Sequence, residues 1–371
     1  MSEKNWKSTP TGKMRGRGLG LPFPGTPGPH NAITDVGGVE VGYSTLISGD
    51  GPLVVGQGPV RTGVTAILPR GKTDALIPCA AGYFSMNGNG EMTGVAWIEE
   101  AGELATPITI TNTHSCGVTR DATIRWLNER VAEGVENWSL PVAAETYDGE
   151  LNDINGFHVS AEDTLAALDS ARSGALEMGS VGGGTGMCTY EFKAGSASAS
   201  RQVKTKGGTF TLGAFVQSNF GLRDELTILG VPVGRQLRGG EFRSKGSGSI
   251  IAIIATDAPL LPHQLKRLAR RVPLGLARTG TIGHNGSGDI FLAFSTANKD
   301  AMAAGPERLR SMQCLANEAL DPLFQAVVET VEEAVIDAMI ANEAMTGANG
   351  LTVPALPHDQ LLALIQPSAS S

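Results

Sequence analysis

The stretch Ser249-Ile-Ile-Ala-Ile-Ile-Ala255 is a nearly unbroken apolar run. A short run rich in isoleucine is typical of a strand that is covered on both faces. A second run of this kind spans residues 290–294. One helix is predicted to begin at Pro262, and two C-terminal helices are predicted around 306–320 and 323–345. Buried strands between helices indicate sheets sandwiched between helix layers.

Shorter apolar or alternating runs, bounded by Gly, Pro, Asn and Asp, predict further strands in the earlier part of the chain. These runs lie at 39–46, 62–68, 95–98, 107–111, 140–144 and 209–216. Helices are predicted at 122–132 and at 161–171, where Ser160 and Asp163 can form a capping box. Because no repeat and no clear linker separates these elements, we expect one domain over residues 1–371.

The composition limits the class of protein. The 371 residues include 49 glycines, 41% apolar and 5% aromatic residues, as expected of a layered globular enzyme with many tight turns. The formal charge of −8 comes without a basic cluster, so nucleic acid is not an expected partner. The chain has neither a long apolar run nor an apolar segment after its basic start, so we expect no membrane span and a cytoplasmic protein. Its four scattered cysteines are expected to be free thiols.

The residues before the central run would permit self-cleavage. Residues 238–248 are polar and rich in glycine, and they lead directly into Ser249. An N-to-O acyl shift needs a hydroxyl held against the preceding carbonyl, and Gly248 permits a backbone geometry that a side chain would hinder. Cleavage would give Ser249 a free α-amino group, which can act as the base for its own hydroxyl. Locally, the same residues also fit an ordinary linker before a strand.

A series of motifs along nearly the whole chain resembles one family, the DmpA/BapA group of L-aminopeptidase D-amidase/D-esterases and β-peptidyl aminopeptidases. Such a series in one fixed order is highly specific. In chain order the motifs are GPVRTGVTAILPRG (58–71), NGNGEMTG (87–94), TNTHSCGV (111–118), AETYDGELNDINGFHV (144–159), VGGGTGM (181–187), QSNFG (217–221), GSIIAIIATDAPLLPHQLKRLARR (248–271) and NGSGDIFLAFSTAN (285–298).

The resemblance implies a fold and a substrate class. The implied fold is a four-layer α/β/β/α sandwich of the N-terminal-nucleophile (Ntn) hydrolase kind, cleaved into chains 1–248 and 249–371 and assembled as a homotetramer of cleaved protomers. The implied activity is that of a serine aminopeptidase. Its substrates would be small peptides, amides or esters with a free amine, namely L-amino acid peptides, D-amino acid amides or esters, or β-amino acid peptides.

The resemblance also implies a catalytic set around Ser249, the nucleophile. Ser287 and Asp289 in NGSGDIF match the serine and the acidic residue that the family places beside the nucleophile, although β-peptide-cleaving relatives can carry Glu where this chain has Asp289. Asn219, favoured over Asn285, matches the side-chain donor to the oxyanion. Without the family, these residues would fit turns next to strands.

Recognition of the substrate amine requires an acidic residue in the pocket, and Glu145 in ETYDG is the candidate, with Tyr147 beside it. Both also fit surface positions at a strand end. Two other classes of function stay open on sequence: a self-cleaving acyltransferase of the ornithine acetyltransferase kind, and an inactive relative that only binds.

Neither a cofactor nor a metal is expected. The segment VGGGTGM (181–187) lacks the Gly-Lys-Ser/Thr ending of a phosphate loop, and its glycines suit close packing or a pocket wall. The six histidines have no metal-ligand spacing. For His114 and His284, near the implied site, we expect structural or hydrogen-bonding roles.

Overall fold

The structure is a computed structural model that describes residues 2–246, 248–303, 305 and 309–365. Its strands are β1 (Glu40–Ser48), β2 (Val60–Leu68), β3 (Cys79–Gly88), β4 (Glu103–Leu104), β5 (Ile108–Asn112), β6 (Val142–Thr146), β7 (Cys188–Thr189), β8 (Phe192–Lys193), β9 (Ser196–Thr205), β10 (Gly208–Phe220), β11 (Gly248–Thr256), β12 (Ser287–Ser295), β13 (Met345–Thr346) and β14 (Thr352–Val353). Its α-helices are α1 (Ser2–Lys7), α2 (Val95–Ala101), α3 (Cys116–Asn128), α4 (Ala161–Ser170), α5 (Pro262–Ala269), α6 (Val272–Arg278), α7 (Lys299–Met302), α8 (Asp321–Ile340) and α9 (His358–Ile365).

The first sheet has the strand order β1-β2-β5-β6, with β5 and β6 parallel. Its outer face, which carries Val64, Ala66 and Leu68 of β2, packs against α3 and α4. The predicted capping box begins α4, because the N–H of Asp163 donates to Ser160 Oγ at 3.2 Å and the N–H of Ser160 donates to Asp163 Oδ2 at 2.9 Å. These helices form the first layer of the molecule and this sheet forms the second.

The second sheet has the order β4-β3-β12-β11-β10-β9, with β11 and β12 parallel. One face of β11, formed by Ile250, Ala252 and Ile254, packs into a core with residues of α5, α6 and α8. The other face, with Ile251 and Ile253, packs against apolar residues of the first sheet. Both faces of β11 are therefore covered, as its apolar run predicts, and the expected four-layer α/β/β/α order is confirmed.

Three expectations about secondary structure are wrong in part. Residues 95–98 belong to helix α2, which is bounded by two left-handed glycines, Gly94 and Gly102. A strand was expected there, because an apolar run of four residues is too short to distinguish a strand from a helix. The helix expected over 306–320 is not formed at 309–316, where Leu309 is 90% exposed and gives no buried helical face. Residues 306–308 lie outside the described part of the chain. The helix expected over 323–345 ends earlier, at Ile340.

Two long strands of the second sheet, β3 and β9, were not predicted. Both contain several Ala, Gly, Ser or Cys residues in place of a clear apolar alternation, so their sequences lack a strand signal. In the described residues, no helix is long and apolar enough to cross a lipid bilayer.

Candidate active site

A cavity of about 610 Å³ lies at the end of the two sheets where β11 begins. β12 also begins there, beside β11, whereas the neighbouring β10 ends there. Ser249, Asn219, Glu145 and Tyr147 line this cavity. Three parts of the chain that are distant in sequence, at 145–147, 219 and 249, are thus brought together in one cavity wall by the packing of the two sheets.

Ser249 is held between two neighbouring strands. Its register partners are Asn219 on β10 and Gly288 on β12, and it is only 2% exposed. Because side chains alternate along a strand, Ser249 points to the same face as Ile251, toward the first sheet. Its Oγ accepts a hydrogen bond from the backbone N–H of Tyr147 at 3.2 Å. The hydroxyl is therefore fixed at the cavity wall.

Gly248 has a backbone conformation that suits only glycine. Its φ is +138°, and a Cβ at this position would lie 2.6 Å from Phe220 Cα and would also collide with the carbonyl oxygen of Asn219. The close approach of β10 thus leaves no room for a side chain directly before Ser249. The carbonyl that precedes Ser249 is held in this restricted geometry.

The amide of Asn219 has a defined orientation. Its Oδ1 accepts hydrogen bonds from the N–H of Cys188 at 2.8 Å and from Nη2 of Arg243 at 3.3 Å. Its Nδ2 donates to the carbonyl oxygen of Tyr147 at 2.7 Å. Since two donors fix the oxygen end, the nitrogen end faces Tyr147 and the cavity, where it can donate to a reacting oxygen.

Ser287 and Asp289 form a hydrogen-bonded pair on β12. Ser287 Oγ donates to Asp289 Oδ1 at 2.6 Å, and Asn87 donates to Asp289 Oδ2 at 2.9 Å. Ser287 is the register partner of Gly248, so the pair lies beside the peptide nitrogen of Ser249. Burial raises the pKa of Asp289, while the hydrogen bonds from Ser287 and Asn87 act in the opposite direction.

Glu145 is a buried carboxylate in the cavity wall, 2% exposed. Its Oε1 accepts a hydrogen bond from the N–H of Glu91 at 3.0 Å, and its Oε2 accepts one from the hydroxyl of Thr113. Burial raises its pKa above the usual range for a glutamate. A cationic group in the cavity would favour the ionised form of Glu145.

Tyr147 lines the cavity and is 46% exposed, and among the described residues its hydroxyl makes no hydrogen bond with Glu145. The backbone of Tyr147 contacts both Ser249 and Asn219. Sequence reasoning missed this backbone role, because a backbone contact can be made by any residue type and so cannot be recognised from the side chain.

Sequence reasoning also missed an ion pair in the cavity wall. Arg243, in the glycine-rich stretch before the predicted cleavage site, forms two hydrogen bonds of 2.8 and 2.7 Å with the carboxylate of Glu150. The stretch contains two arginines, Arg238 and Arg243, and nothing in the sequence pairs Arg243 with Glu150. Glu150 thus holds Arg243 in place, and Arg243 donates to Oδ1 of Asn219.

The model of peptidase family S58 matches residues 31–353. The chain belongs to peptidase family S58. The Beta-peptidyl aminopeptidase BapA of Sphingosinicella microcystinivorans is 50% identical to it over 367 residues, covering 95% of this chain and 92% of that protein. The family confirms that the chain is a hydrolase, an aminopeptidase, with peptide substrates.

Solved structures show the same fold. The L-aminopeptidase D-Ala-esterase/amidase of Ochrobactrum anthropi, described as a prototype for the serine aminopeptidases and a new variant among the Ntn hydrolase fold, has a TM-score of 0.90 and 50% identity. The match covers 95% of the present S58 chain and 98% of the Ochrobactrum chain. The β-aminopeptidase of a Burkholderia species has a TM-score of 0.88 and 45% identity, covering 96% of this chain and 100% of that one. The Ntn-hydrolase-like fold and the resemblance to the DmpA/BapA group are confirmed.

Proposed function

We propose that this S58 aminopeptidase is made as a precursor that cleaves its own Gly248–Ser249 bond, and that the freed Ser249 is the catalytic nucleophile. The observation that carries the proposal is the geometry at this bond. Gly248 is held at φ +138° against β10, and the next residue places a buried hydroxyl in the cavity wall. A hydroxyl held in place directly after a carbonyl whose backbone geometry is fixed is what an acyl shift requires.

In the cleavage step, Ser249 Oγ attacks the carbonyl carbon of Gly248. The C–N bond breaks, the proton of the hydroxyl is transferred to the departing nitrogen, and an ester joins Gly248 to Ser249 Oγ. Water hydrolyses this ester and leaves chains 1–248 and 249–371. The new α-amino group of Ser249, with a reference pKa of about 8, then lies beside the Ser287–Asp289 pair.

In the aminopeptidase reaction, the Ser249 amine accepts the hydroxyl proton as Oγ attacks the substrate carbonyl. Ser287 and Asp289 relay protons to and from that amine and stabilise its ammonium form. The side chain of Asn219 donates to the oxyanion, and the N–H of Tyr147, which faces Ser249 Oγ, is the candidate backbone donor. As the tetrahedral intermediate collapses, the Ser249 ammonium gives its proton to the leaving amine or alcohol, the bond from the carbonyl carbon to that group breaks, and an acyl ester on Ser249 Oγ remains. Water hydrolyses this ester, releases the acyl group as the acid and regenerates Ser249.

Glu145 is the group that would bind the free amine of the substrate, since it is a buried carboxylate in the same cavity as Ser249. The ring of Tyr147 would form an adjacent wall. The substrates proposed from the relatives are peptides, amides or esters that begin with an L-, D- or β-amino acid. Selection among them depends on the shape of the cavity around Glu145.

The proposal is tested by steady-state kinetics on p-nitroanilides of L-alanine and β-alanine and on D-alanine amide. S249A should remain a single chain and be inactive, whereas E145Q should be cleaved normally and show a raised KM for every substrate with a free amine. An N-acetylated substrate serves as control, because it has no charge for Glu145 to bind. Normal KM values in E145Q would refute the role of Glu145, and activity in S249A would refute the nucleophile.

A further inference from the structure

Lys193 is a buried cation close to the candidate active site. It lies on the short strand β8, and its residue surface is 0% exposed. Among the described residues, no carboxylate forms an ion pair with it. Its Nζ donates to two backbone carbonyl oxygens, of Met187 at 2.8 Å and of Ala194 at 2.6 Å. Burial of an ammonium group without an acidic partner is costly, so its presence here calls for an explanation.

The surroundings of Nζ suit its ammonium form, because both of its hydrogen-bond partners are carbonyl oxygens that accept from it. Burial lowers the pKa of Lys193 to about 8. Cys188 is the register partner of Lys193 in the β7–β8 hairpin. This pairing places the lysine next to the peptide group that joins Met187 to Cys188.

That peptide group connects Lys193 to Asn219. Its carbonyl, on Met187, accepts from Lys193 Nζ, and its N–H, on Cys188, donates to Asn219 Oδ1 at 2.8 Å. A carbonyl that accepts from a cation polarises its own peptide unit and makes the N–H a stronger donor. The side-chain amide of Asn219 is polarised in the same way, because its Oδ1 accepts from this N–H. Its Nδ2 is therefore a stronger hydrogen-bond donor than it would be without Lys193.

Arg243 also contacts Asn219 Oδ1, at 3.3 Å, but it belongs to the segment just before Gly248. The proposed cleavage frees one end of that segment. The lysine, in contrast, is anchored by the hairpin, and its own N–H donates to the carbonyl oxygen of Pro354 at 2.8 Å. Of the two cations, Lys193 is the one whose link to Asn219, through the Met187–Cys188 peptide group, does not depend on the cleaved segment.

We propose that Lys193 is a positioning residue that polarises and orients Asn219 through the Met187–Cys188 peptide group, and so strengthens the donor to the oxyanion. The inference rests on the proposed role of Asn219. It explains why a cation is buried here without a carboxylate. The lysine touches neither the cavity nor the substrate in this account, and it acts only through Asn219.

The test is a double-mutant cycle of K193M and N219A, with kcat and KM measured on protein shown by mass spectrometry to be completely cleaved. K193M should lower kcat by about tenfold, less than the roughly 100- to 1,000-fold loss expected for removing an oxyanion donor. KM should be unchanged. In the N219A background, K193M should cause no further loss of kcat. K204M, at an exposed position of β9, is the control and should match the wild type.

K193Q is measured in the same cycle, because it keeps a hydrogen-bond donor without the charge; it should fall between the wild type and K193M. It also decides the question if K193M does not fold. Equal losses of kcat in the wild-type and N219A backgrounds, or a changed KM alone, would overturn the proposed action of Lys193 through Asn219. Wild-type rates in N219A itself would instead refute the oxyanion role of Asn219, so the two failures are distinguishable.

Discussion

At the scale of single residues, the backbone of Tyr147 connects the two polar side chains on which the proposed chemistry depends. Its N–H donates to Ser249 Oγ and its carbonyl accepts from Asn219 Nδ2. Because all three groups lie in one cavity wall, the proposed nucleophile and the proposed oxyanion donor are placed together before any substrate binds. The proposed mechanism depends mainly on this preorganisation.

Replacing Asn219 by alanine should raise the activation barrier by roughly 2.7–4 kcal/mol, because it removes one preorganised donor to the oxyanion. The loss should appear in kcat, with little change in KM. The measurement is steady-state kinetics on the cleaved variant. Wild-type kcat in N219A would contradict the assignment.

Gly248 should be essential for the rate of cleavage. G248A must move its backbone away from Phe220 and leave the φ of +138°, so it should slow self-cleavage strongly. A time course of intact mass after synthesis measures the rate. G37A is the matched control, since a Cβ at Gly37 meets nothing within 4 Å and needs no unusual φ. Equal cleavage rates in G248A and G37A would show that the glycine geometry is irrelevant.

Asp148, next to Tyr147, should make stability depend on pH. Burial raises its pKa from 3.8 to about 7. Between these values the folded protein holds a proton that the unfolded chain releases, so the free energy of unfolding falls as pH rises through this window. D148N lacks this titration. Its midpoint of thermal unfolding, relative to the wild type, should therefore increase from pH 4.5 to pH 8, and a constant difference would contradict the account.

At the scale of the elements, α4 offers a test of stability that is separate from catalysis. S160A removes the capping box with Asp163 and should lower the free energy of unfolding by about 0.5–2 kcal/mol. Urea unfolding of the uncut S249A chain, with and without S160A, measures the effect. Because α4 packs on the outer face of the first sheet, S160A alone should keep the wild-type kcat. A lower kcat in S160A, without a lower free energy of unfolding, would contradict the view that α4 contributes to stability and not to catalysis.

The sequence predicts the elements that have one dominant pattern. β11 is recognisable because both of its faces are buried, and α4 because Ser160 and Asp163 give it a defined start. The strands β3 and β9 lack such a pattern, and α2 is too short for its period to be read. The same holds for the candidate site. Side chains with a reactive group can be predicted from motifs, whereas the backbone contacts of Tyr147 and the Arg243–Glu150 ion pair depend on how distant parts of the chain pack together.

At the scale of the whole molecule, the site is built from both sides of the proposed cut. Asn219 and Glu145 precede the Gly248–Ser249 bond, and Ser287 and Asp289 follow it. The hydrogen bonds of β11 with β10 and of β12 with β3 join the two parts across the second sheet. A break at the first residues of β11 leaves these ladders in place.

The two chains should consequently stay together after cleavage. Under native conditions, size-exclusion chromatography with light scattering should show one particle that contains both chains, and the expected assembly is a homotetramer. Urea should separate them. Separate elution of the chains without denaturant would contradict the view that the second sheet holds them, while a dimer would change only the predicted number of protomers.

The most direct test of the central claim is the intact mass of the purified wild-type protein under denaturing conditions, beside S249A. The account predicts two masses for the wild type, which correspond to residues 1–248 and 249–371 with any initiator-methionine loss, and one mass for S249A. A single full-length mass for active wild-type protein would contradict self-cleavage and the N-terminal serine nucleophile together.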